Sequence, residues 1–111
     1  MDRFQILLAS GVIRQDTFDR TEKVRTMLEK QLAPGDTLEM LLTHYAMALE
    51  RQCRQEDIPP ISESVITEVM QDPRYQEARR LLERIETETQ SSFPVPEQQY
   101  MIVHLVNLMS A

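Results

Sequence analysis

The chain has 111 residues, of which 41% are hydrophobic and 27% charged, and its formal net charge is −6. This length allows one domain with one hydrophobic core, and the hydrophobic fraction is too high for a disordered chain. Direct binding to nucleic acid is not expected, because an acidic chain without clustered Lys and Arg cannot neutralise the phosphates.

The residue types favour helices over strands. The chain has two glycines and no tryptophan, while Leu, Met, Glu, Gln and Arg abound, so we predict an all-α fold. The apolar run at residues 4–9 is too short to span a membrane and lacks the basic flank of a signal peptide. The single Cys53 has no second cysteine for a disulfide or a metal site. We therefore expect a cytoplasmic protein with no metal, cofactor or membrane partner.

The N-terminal segment is the least regular part of the predicted organisation. Residues 2–10 are expected to form a short helix or an ordered arm, which ends at Gly11 because glycine readily adopts the left-handed conformation. We therefore divide the chain into an N-terminal arm or short helix at residues 1–15 and a single helical domain at residues 16–111.

Apolar residues at three- and four-residue spacing predict five helices within residues 16–111. Each helix begins at a residue type that favours helix starts. The short third helix is expected to bury its apolar residues, and the fourth to turn its apolar stripe inward. The predicted helices run from Asp16 or Thr17 to about Leu32, from Asp36 or Thr37 to about Arg54, from Ser62 over Val65, Ile66, Val69 and Met70, from Asp72-Pro73 over Tyr75, Ala78, Leu81, Leu82 and Ile85, and from Pro96 to about Met109.

Both histidines of the chain, His44 and His104, lie on predicted amphipathic helices with polar residues nearby. The unperturbed pKa of imidazole is near neutrality, so each histidine is able to be neutral and nucleophilic at cytoplasmic pH. Phosphorylation would add about two negative charges, which Arg51 is positioned to bind while Asn107 fixes a tautomer. A structural role is the alternative, and it is the commoner one for a histidine on an apolar helix face.

Motifs of enzymes are missing around these histidines. No HExxH motif, carboxylate triad, nucleophile motif or phosphate-binding loop accompanies them. A histidine acting as a general base would need such partners, so we do not expect an enzyme or a small-molecule substrate.

The stretch from about Leu38 to Met109 resembles the phosphotransferase-system regulation domain, or PRD, the histidine-phosphorylated module of bacterial antiterminators and transcriptional activators. The resemblance rests on two blocks, residues 42–51 and 93–107, each of which contains one histidine. Thr43 departs from the family, whose members often have an acidic residue before the first histidine. Family regulators also attach such domains to an RNA-binding or DNA-binding module, and none is recognisable in this sequence.

The resemblance implies a compact five-helix bundle, usually dimeric, in which His44 and His104 accept phosphoryl groups. The implied donors are the histidine phosphocarrier protein or sugar-specific permease components, and Arg51 and Asn107 match motif positions near the acceptors. The implied function is regulatory: the module senses phosphotransferase activity and acts through protein contacts in transcription or antitermination control. A phosphorylation-independent helical adaptor or dimerisation protein is the alternative.

Overall fold

A computed structural model describes residues 2–110, and it contains six α-helices and no strand in that range. The all-α prediction is confirmed, but the predicted bundle of five helices is wrong by one, because the N-terminal segment also forms a helix. In chain order the helices are α1 (Arg3–Ala9), α2 (Gln15–Glu29), α3 (Asp36–Cys53), α4 (Glu63–Met70), α5 (Tyr75–Thr89) and α6 (Val95–Met109).

The four long helices enclose the core. Helix α3 packs against α2 and α6, and α5 also packs against both of these helices. The short helices lie outside this arrangement, with α1 on α2 and α4 on α6. Fully buried side chains from α3 and α6 fill the centre, including Leu41, Leu42, Tyr45, Met101 and Leu105. None of the described helices is long and apolar enough to cross a membrane.

The predicted inward stripe of the fourth predicted helix is confirmed in α5, but the prediction for the short helix is wrong in part. Ala78, Leu81, Leu82 and Ile85 are buried and Tyr75 packs against the core. On α4, by contrast, Val65 and Met70 are 39% and 55% exposed, while Ile66 and Val69 are half-buried. An eight-residue helix that packs on one neighbour has only one face to bury.

Several predicted helix starts are wrong by one to three residues. Helix α2 begins at Gln15, α3 at Asp36 after Gly35, and α6 at Val95 rather than at Pro96. Helix α5 begins at Tyr75, because the Asp72 carboxylate accepts hydrogen bonds from the Arg74 backbone and side chain and so forms a turn instead of a cap. Ser62 caps α4 as predicted, by accepting a hydrogen bond from the backbone N–H of Val65.

Candidate functional site

A groove of about 600 Å³ runs along one face of α3. Residues three or four apart on a helix lie on the same face, which explains why side chains spread over four turns of α3 meet there. Helix α6 and helix α1 contribute one lining residue each. The groove is lined by Arg3, Asp36, Glu39, Met40, Thr43, His44, Met47, Arg51 and His104.

The two histidines meet in this groove although they come from different helices. The ring centroids of His44 and His104 are 4.9 Å apart, and the ring planes are tilted by 44°. The ring of Tyr100 stacks on His44 at 5.6 Å and 30°. Both histidine side chains are half-buried and line the groove. A single protein partner that enters the groove would therefore meet both imidazoles.

A buried ion pair lies behind His44. Arg51 donates from Nε and Nη2 to the two carboxylate oxygens of Glu97 at 2.8 and 2.9 Å, and the Glu97 side chain is only 2% exposed. The Nε2 atom of His44 is buried and 3.5 Å from Oε1 of Glu97, but the geometry is not that of a hydrogen bond. Glu97 thus links the two helices that carry the histidines.

The environment keeps both imidazoles neutral at pH 7. Burial, and then the neighbouring His104 and Arg51, lower the pKa of His44 to about 4, although Glu97 opposes this shift. Burial also lowers the pKa of His104. A neutral imidazole retains a nitrogen lone pair, so each ring is in the form that attacks an electrophile.

The structure brings three of the four predicted site residues into the groove. His44, His104 and Arg51 line it, whereas Asn107 is exposed and its side chain makes no hydrogen bond to either imidazole within the described residues. The Arg51 guanidinium already binds Glu97, so its predicted role toward a phosphate would have to compete with that carboxylate. The roles of these four residues stay predictions.

Sequence reasoning assigned no role at the site to two further residues. Glu97 shares a helix face with His104 in the sequence pattern, and the structure shows that it is the buried partner of Arg51. The sequence places Glu97 on the same helix face as Tyr100 and His104, one turn and two turns before them. It does not show that Arg51 is the partner of this acid. Arg3 gave no such signal, since it reaches the groove from a helix far away in sequence.

The site contains no evident metal centre. Among residues 2–110, no group of three or more His, Cys, Asp or Glu side chains is placed to hold a metal ion. The groove brings two neutral imidazoles together with the side chains of Arg3, Arg51, Asp36 and Glu39.

Comparison with known proteins connects this groove with a family. The sequence profile of the PRD domain matches residues 19–108, which include both histidines and the helices α3 and α6. Comparisons with curated proteins and with solved structures gave no significant match. PRD domains are regulatory modules controlled by the phosphotransferase system, and not enzymes. Since the match covers more than three quarters of the sequence and includes both histidines of the groove, the chain belongs to the PRD domain family.

Proposed function

We propose that this chain reports phosphotransferase-system activity by accepting phosphoryl groups on His44 and His104, and acts through protein contacts in transcription or antitermination control. One observation carries the proposal: two neutral imidazoles, 4.9 Å apart, line one groove. A single donor protein docked on this groove would have both candidate acceptor residues beside it.

The proposed step is phosphoryl transfer from a phosphohistidine of a donor protein. A neutral nitrogen of the acceptor imidazole attacks the phosphorus, a new P–N bond forms, and the P–N bond of the donor breaks. The acceptor ring loses its N–H proton and the departing donor ring gains one, so charge and protons balance. Such transfers depend mainly on positioning and electrostatics, which a preformed groove supplies.

The proposed donors are the histidine phosphocarrier protein or sugar-specific permease components, and the proposed assembly is a homodimer. Apolar side chains at the surface support a protein contact near the site. Met40 lines the groove and is 60% exposed, and Ile6 on α1 is 52% exposed.

A labelling experiment tests the proposal. The wild type and the variants His44→Ala and His104→Ala are incubated with radiolabelled phosphoenolpyruvate and the general phosphotransferase components. We expect acid-labile label on the wild type, less on each variant, and none when the phosphocarrier protein is omitted. A natural substrate of the same components serves as the positive control.

Absence of label on the wild type, with a labelled positive control, would contradict the proposal. The alternative adaptor function would then be tested with a partner protein recovered from the native cell. Partner binding that is unchanged when both histidines are replaced by alanine would favour the adaptor over the sensor.

A further inference from the structure

Helix α1 lies outside the residues that match the PRD domain family, yet it is firmly attached to the bundle. Asp2 and Gln5 form a reciprocal capping box at its start, and Phe4 is fully buried. The guanidinium of Arg25 lies 5.5 Å from the centre of the Phe4 ring. Because Phe4 fixes α1 in place, the neighbouring Arg3 is held at the mouth of the histidine groove.

The other two arginines at or beside the groove are already neutralised by carboxylates. Arg25 donates from Nη1 and Nη2 to the carboxylate of Glu39 at 2.5 and 3.0 Å. Arg51 is bound in the same bidentate manner by the buried Glu97. Their positive charges are therefore balanced before any ligand arrives.

Arg3 differs from both, because no carboxylate among residues 2–110 forms an ion pair with it. Its Nη2 atom donates to the backbone carbonyl of Glu39 at 3.0 Å and to the hydroxyl of Thr43. Its Nε and Nη1 atoms donate to no described acceptor, so further donors of the guanidinium remain available. One acid, Asp36, also lines the groove without an ion pair, one turn before Glu39.

We propose that Arg3 is a phosphate-binding residue of this chain, which binds the phosphoryl group on His44 or His104. The inference rests on the proposed function and adds a residue to the site. Arg3 already bonds to Thr43, the residue before His44, and lines the same groove as both histidines. A guanidinium matches two phosphate oxygens with parallel N–H donors.

The identity of residue 43 fits this role. The Thr43 hydroxyl accepts a hydrogen bond from Arg3 and carries no charge of its own, so Arg3 interacts with a carboxylate only at longer range, through Glu39, whose pKa it helps to lower. A carboxylate at this position would neutralise Arg3 and would repel a phosphoryl group on the next residue. In this chain the residue before the first histidine is neutral, and it bonds to an arginine of α1.

The test measures the second pKa of the phosphoryl group by phosphorus NMR. The protein is phosphorylated with phosphoramidate, whose P–N bond breaks as the imidazole nitrogen attacks phosphorus and ammonia leaves with the imidazole proton. This small donor needs no protein partner, so the experiment works even if the proposed donors fail. His44→Ala and His104→Ala assign the signals to the two sites.

A nearby guanidinium favours the dianion, so Arg3→Gln should raise the phosphoryl pKa by about half a unit. Arg3→Lys keeps the charge and should stay close to the wild type. Arg80→Gln removes an exposed charge on α5 and serves as the matched control, with no expected shift. Equal pKa values in the wild type and Arg3→Gln would overturn the inference, and so would failure of phosphoramidate to label either histidine.

Discussion

At the scale of single residues, the Glu97 carboxylate is the more deeply buried of the two buried acids among residues 2–110. It is 2% exposed, binds Arg51 through both oxygens and lies 3.5 Å from the Nε2 atom of His44. A buried carboxylate is tolerated only when its charge is compensated. Arg51 provides this compensation, so the pair connects α3 with α6 directly beside the histidines.

Glu97→Gln should destabilise the protein by about 3 kcal/mol, because it leaves the Arg51 cation in a poorly hydrated place without its counter-charge. The variant should also lower the pKa of His44 further, since Glu97 raises it in the wild type. Urea unfolding measures the first effect and proton NMR titration the second. The control Glu83→Gln changes an exposed acid on α5 and should cost less than about 0.5 kcal/mol. Equal stability of the two variants would contradict the role of the pair.

Stability should depend on pH in the range where His44 titrates. Burial is the main reason why its pKa is about 4 in the folded protein, against 6.5 for an unperturbed histidine. The unfolded chain therefore binds more protons between these values, so stability is fully present above pH 6.5 and falls as the pH drops toward 4. His44 should account for a loss of about 3 kcal/mol, and the lowered pKa of His104 should add to it in the same direction.

Chemical unfolding at several pH values from 7.5 to 5 would measure this slope. Replacing both histidines with glutamine should flatten it in this range, because most carboxylates titrate lower, at about pH 4. Glu39, whose pKa is lowered by its hydrogen bond from Arg25, also titrates below the range. A slope that persists in the double variant would assign the effect to other groups.

The closeness of the two imidazoles predicts that one phosphoryl group hinders the second. With ring centroids 4.9 Å apart, both phosphoryl groups would occupy the same groove. Each pair of unit charges about 7 Å apart costs about 2 kcal/mol at an effective dielectric constant of about 20. Intact-mass spectrometry of the partly labelled protein should therefore show mostly the singly phosphorylated form. A population of doubly labelled protein equal to that of two independent sites would disprove the coupling.

At the scale of elements, α1 is a seven-residue helix that depends on tertiary contacts. So short a helix is unstable in isolation, since nucleation costs more than its few hydrogen bonds return. Its buried Phe4 and the capping box at Asp2 and Gln5 supply the missing stabilisation. These contacts attach helix α1 to the bundle.

Phe4→Ala should reduce the free energy of unfolding by about 3–4 kcal/mol, because it leaves a cavity where an aromatic ring was fully buried. It should also release α1 and make residues 3–9 sensitive to protease. Ile6→Ala is the matched control on the same helix, because Ile6 is 52% exposed. Identical protease patterns for the two variants would show that Phe4 does not anchor the helix.

At the scale of the whole molecule, the groove lies between α3 and α6, whose contact forms the centre of the bundle. Charge added in the groove acts on this contact directly, and a packed core responds by repacking rather than by gradual deformation. A phosphoryl group on a histidine is therefore well placed to change how the surface around it meets a partner.

The homodimer is tested by sedimentation of the wild type at several concentrations. We expect association of the wild type and weaker association of His44→Asp and His104→Asp, because a carboxylate imitates part of the charge of a phosphoryl group. The Cα radius of gyration of one chain is 13.6 Å, so X-ray scattering also distinguishes a dimer. A wild type that stays monomeric at high micromolar concentration removes the dimer, and equal association of all three proteins removes the charge effect.

The sequence by itself determined the helical class, the four long helices and the inward stripe of α5, because apolar spacing reports directly which face of a helix is buried. It also identified the two histidines and their family resemblance. Helix starts were harder to predict. Asp16, Asp36 and Asp72 all satisfy the sequence rules for a cap. In the structure, Asp16 and Asp36 lie within the first turn of their helices, and Asp72 lies three residues before α5.

Only the tertiary structure decided what surrounds the histidines. Helical periodicity relates residues within one helix, and it carries no information about which faces of separate helices meet. The contact of His44 with His104, the burial of Glu97 against Arg51 and the delivery of Arg3 by α1 all join residues more than 35 positions apart. The packing of α1, α3 and α6 around the shared core decides these contacts. The distances that result set the pKa values of the groove's histidines.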